Sequence, residues 1–266
     1  MAADAQSPSF LTLGDRSDKP RSVGITHVLD KGVPLLSMQS TLASTAPFID
    51  LWKFGWGTAY IEPQLADKLA ELDRHGISAC TGGTLAEISW QQGRALDFLK
   101  WAHNVGFRLV EVSNGATKMP LSEKRRLLVE ARELGLTVLS EVGSKDPDEH
   151  ASPQQWVDEI LGDLEAGARW VVLEGRESGT VGLYGANGDV RCEIVNAIED
   201  AVAGASIIYE APQRAQQAWL IRNISPSVNL GNVATTEIMS VESLRRGLRS
   251  DTIGVGVPAV VRNASY

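Results

Sequence analysis

The chain has 266 residues, 43% of them hydrophobic and 22% charged, with 25 basic against 33 acidic side chains and a formal net charge of −8. Those values fit a soluble globular protein of one large domain or two small ones. The acidic balance argues against a polyanion-binding surface, and no apolar run reaches the roughly 20 residues of a membrane helix, so neither nucleic acid nor membrane is an expected partner.

Residues 1–20 read as a polar, partly mobile lead-in with a short apolar patch at Phe10–Leu13 and no basic stretch before it, so no secretory signal is expected. Cys80 and Cys192 lie far apart without metal-type spacing and read as reduced thiols of a cytoplasmic protein. The four histidines are too scattered for a zinc site.

From residue 21 to residue 266 one rhythm holds. Apolar, β-rich runs occur at GITHVL (24–29), FIDLWKF (48–54), GISAC (76–80), FRLVEV (107–112), LTVLSEV (136–142), RWVVLE (169–174), ASIIYE (205–210) and SVNLGNV (227–233). Amphipathic, helix-like segments separate them, among them 63–76, 121–135, 152–168, 190–204 and 236–249. The third of these starts with Ser152 at the cap and Pro153 in the first turn, the favoured arrangement. Eight strands alternating with helices pair in parallel through right-handed crossovers. The count and the length predict a single α/β domain, a closed (β/α)8 TIM-type barrel. The rival open sheet usually carries a GxGxxG turn after its first strand, and DKGVP is not one.

The strand ends carry the chemistry. In order they offer Asp30 and Lys31, then Lys53, then Gly82 and Gly83, then Glu111 with Ser113, then Glu141 with Lys145. Glu174 with Arg176 and Glu177 follow, then Glu210 with Gln213, and last Asn232. In a barrel these ends converge on one mouth. Gathered carboxylates repel, so they call for a divalent cation, a basic substrate, or a structural ion-pair ring with Lys53, Lys145 and Arg176. Oxygen-only ligands favour Mg2+ over zinc. A lysine in such a mouth is partly desolvated, so its pKa is expected to fall towards the range of a proton donor. Trp52 and Trp56 flank a glycine turn and read first as packing anchors, with stacking on a substrate as the alternative.

The segments LDKG (29–32), KFGWGT (53–58), GGTL (82–85), EVSNG (111–115), EVGSK (141–145), EGRESG (174–179), EAPQRAQQ (210–217), VNLGN (228–232) and LRRGLRSDT (244–252) resemble, in this order, the phosphosulfolactate synthase family. The likeness runs from about Arg21 to Gly254. It implies a magnesium-dependent (β/α)8 lyase that adds sulfite to phosphoenolpyruvate to form (2R)-phospho-3-sulfolactate, for coenzyme M or sulfolactate. It further implies a homo-oligomer, by expectation a trimer. On that basis Lys145 is the expected proton donor, Lys53 is the second expected catalytic residue and a candidate for holding the anions, and Glu141, Glu174, Glu210 and Glu111 are the expected metal ligands. Asp30, Lys31, Arg176, Gln213, Asn232 and Ser113 are the expected substrate contacts. A sister enzyme with another nucleophile, or a non-catalytic stress-associated relative, is the alternative.

Overall fold

The structure, a computed structural model, describes residues 10–144 and 151–257. Its eight strands are β1 (Thr26–Asp30), β2 (Leu51–Phe54), β3 (Ser78–Thr81), β4 (Leu109–Val112), β5 (Thr137–Val142), β6 (Trp170–Leu173), β7 (Ile207–Glu210) and β8 (Leu230–Ala234). They close in sequence order into one barrel, every pair parallel. This is the TIM-type barrel expected from the strand–helix alternation.

The helices are α1 (Leu35–Thr45), α2 (Thr58–Ile61), α3 (Leu65–Arg74), α4 (Gly83–Gln91), α5 (Ala95–Val105), α6 (Leu121–Glu133), α7 (Pro153–Glu165), α8 (Cys192–Ala201), α9 (Arg214–Asn223) and α10 (Ile238–Arg245). The five segments read from the sequence correspond to α3, α6, α7, α8 and α10. Ser152 does cap α7, and Gln155 completes a capping box with it.

Alternation along each strand divides the core in two. Outward residues such as Val28, Trp52, Val110, Val138, Val171 and Ile207 pack under the helices. Inward ones, Ile25, Leu51, Cys80, Leu109, Leu139, Val172 and Ile208, meet inside the barrel as an apolar plug. Two residues further along each strand the same inward face carries His27, Lys53, Gly82, Glu111, Glu141, Glu174 and Glu210. A period of two therefore sets a charged tier directly above the plug.

β8 departs from this regularity. Thr26 pairs with Leu230 but Val28 pairs with Val233, so β8 contains one extra residue there. The bulge returns Val233 to the outer core and turns Asn232 towards the barrel mouth. The opposite end is closed by the lead-in. Gly14 is buried, Arg16 pairs with Glu242 at 2.9 Å, and Arg21 pairs with Asp50 at 3.1 Å.

Candidate active site at the barrel mouth

The mouth encloses a cavity of about 430 Å3 whose wall includes Lys53, Glu111, Glu141, Glu174, Glu210 and Asn232. Lys53 stands at its floor. Its ammonium donates to both oxygens of Glu111 at 3.3 and 3.1 Å and to Glu210 at 3.0 Å. The Gly83 amide donates to Glu111 at 2.9 Å, and the Gly175 amide donates to Glu210 at 3.0 Å. Glu174 accepts from the Arg176 amide at 2.6 Å. Main-chain donors from the start of α4 and from the β6 loop thus fix the orientation of these carboxylates.

The charges interact strongly. Burial pulls the Lys53 ammonium down, but Glu111, Glu210 and Glu141 together outweigh it and hold the group well above its ordinary value. The expectation of a lysine with a depressed pKa is therefore corrected for Lys53: in this tier it is a fixed cation. Burial pushes the Glu111 carboxyl up to about 7, against the opposing pull of Lys53 and with the help of Glu141 and Glu210. His27 lies fully buried in the same tier, and burial together with the Lys53 charge keeps its imidazole neutral.

Several of the expected contacts lie elsewhere. Asp30 does not face the mouth. Its carboxylate accepts from the Gly32 and Val33 amides and the Trp52 indole, with the Lys68 ammonium 3.6 Å away, so it anchors the β1 loop from the helix side. Lys31 sits exposed on the rim, 3.5 Å from Glu177. Ser113 is buried and donates to Glu87. Gln213 is exposed and donates to the Ser178 carbonyl at 2.6 Å, tying the β7 loop to the β6 loop. Arg176 is exposed where it lines the cavity, and Asn232 is buried there. Lys145 lies outside the described residues.

Two supporting residues escaped the sequence reading. Glu87 on α4 is fully buried and accepts from the Ala116 amide at 2.9 Å, the Thr117 amide at 2.7 Å and the Thr117 hydroxyl at 2.9 Å, fixing the β4 loop. Gln216 on α9 donates to the carbonyls of Gly179 at 2.7 Å and Gly188 at 3.2 Å, which pins the long β6 loop. Neither has a sequence signal, because a buried glutamate or glutamine on an amphipathic helix reads as a solvated one.

A four-glutamate metal cage is not what the geometry presents. Lys53 occupies the position between Glu111 and Glu210. No three acidic, histidine or cysteine side chains among the described residues are arranged as a ready cage. Magnesium does not require one, since it is commonly held by one or two carboxylates with waters and substrate oxygens. Glu141 and Glu174, on neighbouring strands and both in the cavity wall, fit that looser mode.

The sequence signature of the (2R)-phospho-3-sulfolactate synthase (ComA) family matches residues 14–251. The chain is 40% identical to a phosphosulfolactate synthase of Methanothermobacter thermautotrophicus, over 92% of this chain and 96% of that one. It is 38% identical to a Bacillus subtilis phosphosulfolactate synthase, over 91% and 97% of the two chains. A plant protein, HEAT-STRESS-ASSOCIATED 32 of Arabidopsis thaliana, is 23% identical over 92% of this chain and 93% of its own. Among solved structures, 3-hexulose-6-phosphate synthase from Salmonella typhimurium superposes with a TM-score of 0.53 at 12% identity, over 86% of this chain and 93% of that one. That likeness concerns the barrel alone. The match across nearly the whole chain places the protein in the (2R)-phospho-3-sulfolactate synthase family.

Proposed function

We propose that the protein adds sulfite to phosphoenolpyruvate to give (2R)-phospho-3-sulfolactate. The observation that carries this reading is the Lys53–Glu111–Glu210 cluster at the floor of a cavity at the C-terminal ends of the strands, in a chain of this family. Sulfite is a good nucleophile as it stands, so the reaction needs no activated serine or cysteine. Its sulfur attacks the methylene carbon, the carbon–carbon π bond breaks, and the electron pair moves onto the substrate carboxylate. One proton then reaches the neighbouring carbon from a single face, which sets the R configuration and completes the balance.

Each group has a task. Lys53, fixed as a cation at the floor, offsets charge where it develops on the carboxylate. Arg176 offers a planar fork for an anion at the rim, and the Asn232 amide offers a donor and an acceptor. The resemblance assigns proton delivery to Lys145. Magnesium, held by Glu141 and Glu174 together with substrate oxygens, would supply further positive charge against the developing dianion.

The test is direct. Purified protein with phosphoenolpyruvate, sulfite and magnesium should form an adduct of the summed mass, lost on omission of the metal. Absence of a metal-dependent adduct would sink the proposal, and adducts with other nucleophiles but not sulfite would replace it with a sister chemistry.

A further inference from the structure

Three non-glycine residues among those described have a left-handed backbone: Trp56 (φ 56°), Arg176 (φ 55°) and Asn232 (φ 51°). All three line the same cavity. Asparagine tolerates this region best of the non-glycine residues, whereas arginine and tryptophan meet a real steric cost. Such strain persists only where surrounding structure imposes it, and it gathers at functional sites.

Each of the three is pinned by a separate device. A Cβ on Gly82 would lie 2.6 Å from the Trp56 nitrogen and 2.9 Å from its oxygen, so the bare glycine admits this turn and the turn fills its space. The Arg176 amide is held by Glu174 at 2.6 Å. Asn232 is the extra residue of the β8 bulge. The Arg176 guanidinium makes no ion pair or hydrogen bond among the described residues. The Asn232 side-chain oxygen is buried and has no hydrogen-bond partner among the described residues. Trp56 is 44% exposed at the mouth.

We infer that Trp56, Arg176 and Asn232 form a strain-held subsite for the attacking oxyanion, with Trp56 as a specificity-determining residue. The inference rests on the reaction proposed above. Lys53 is buried at the floor, where the carbon acceptor must bring its carboxylate. The nucleophile enters from the solvent side, past the rim. A small three-oxygen anion suits a guanidinium fork, an indole N–H and a side-chain amide that turns its NH2 towards it, and all three residues line this one cavity. The indole also shields the new carbon–sulfur bond from water.

The experiment compares wild type, Trp56→Phe and Arg176→Gly in full-length protein, by steady-state kinetics and by thermal unfolding. Glycine enters the left-handed region freely, so Arg176→Gly should melt about 2 °C or more above wild type. Its KM for sulfite should rise at least tenfold, with KM for phosphoenolpyruvate changing less than threefold. Trp56→Phe retains the strain and loses the indole N–H, so its melting point should stay put while its KM for sulfite rises. Sulfite alone, at millimolar concentration, should raise the melting point of wild type but not of Arg176→Gly. Unchanged sulfite KM in both variants, or equal protection by sulfite of wild type and Arg176→Gly, overturns the subsite. A melting point of Arg176→Gly at or below wild type overturns the strain assignment. Arg176-dependent protection in a protein that forms no adduct would sink the proposed reaction and leave the subsite standing.

Discussion

Replacing Lys53 with methionine keeps most of the side-chain volume and removes the charge between Glu111 and Glu210. The lysine is only 4% exposed and its ammonium contacts both carboxylates at 3.0–3.3 Å, so the variant leaves two buried acids without their cation. Breaking a buried pair by removing one partner costs about 3–5 kcal/mol. At about 2–4 °C per kcal/mol for a domain of this size, the melting point at pH 8 should fall by roughly 6–20 °C. The deficit must also depend on pH, and its sign is fixed. Glu111 is already raised from 4.5 to about 7 with Lys53 present, and loss of the cation raises it further. A carboxyl whose folded pKa exceeds its unfolded value contributes stability that is full below about 4.5 and is lost as pH climbs through the folded value. Thermal unfolding followed by circular dichroism at pH 5, 6, 7 and 8 should therefore show Lys53→Met close to wild type at pH 5 and furthest below it at pH 8. Turnover should drop at least a hundredfold at every pH. A deficit under 2 °C at pH 8, or one that does not change with pH, would refute the claim that Lys53 compensates this tier.

Glu111→Gln removes a group that titrates at about 7, so the wild-type loss of stability between pH 5 and 8 should flatten, by up to about 3 kcal/mol, in unfolding scans across that range. Gly82→Ala places a Cβ 2.6 Å from the Trp56 nitrogen and 3.0 Å from the Phe54 oxygen, both main chain, and should cost about 1–3 kcal/mol in a denaturant titration while raising KM. Chelation of magnesium with EDTA should weaken phosphoenolpyruvate binding at least tenfold by calorimetry, with recovery on adding the ion back. Lys145→Ala should abolish stereospecific product formation in a chiral assay, and a variant that still makes only the R product would remove that residue from its assigned role.

The barrel was legible because its signal recurs along the chain: eight short apolar runs lead into polar residues, and amphipathic segments, several of them glycine-stopped or capped, separate them. The tier of Glu111, Glu141, Glu174 and Glu210 was legible for the same reason, since each lies two residues beyond an inward apolar side chain. What periodicity could not supply was the direction of residues at the very ends. Asp30 follows the outward-facing phase of Val28 and so ends behind the strand, beside Lys68 and Trp52. Asn232 reaches the mouth only because a bulge shifts the phase, and no composition rule announces a bulge at an Asn. Desolvation alone would lower a lysine in the mouth, and only the positions of Glu111, Glu210 and Glu141 around Lys53 show that their charges outweigh it. Glu87 and Gln216 were missed because their partners are main-chain groups of loops distant in sequence.

The charge inventory of the cavity ties the floor to the rim. Among the described residues in its wall, Glu111, Glu141, Glu174, Glu177 and Glu210 face only Lys53 and Arg176. A surface of that sign repels phosphoenolpyruvate and sulfite alike, and it would repel a second anion more once the first had bound. The carboxylates do not share one task. Glu111 and Glu210 are committed to Lys53, and Glu177 lies beside Lys31 on the outer rim. Glu141 and Glu174 stand on neighbouring strand ends in the wall, where the reading proposed above gives them the divalent cation, and the Arg176 guanidinium makes no ion pair among the described residues. In the reaction proposed above, Arg176 and the bound cation would then hold the two anions apart, with Lys53 below them to receive the charge that their union creates.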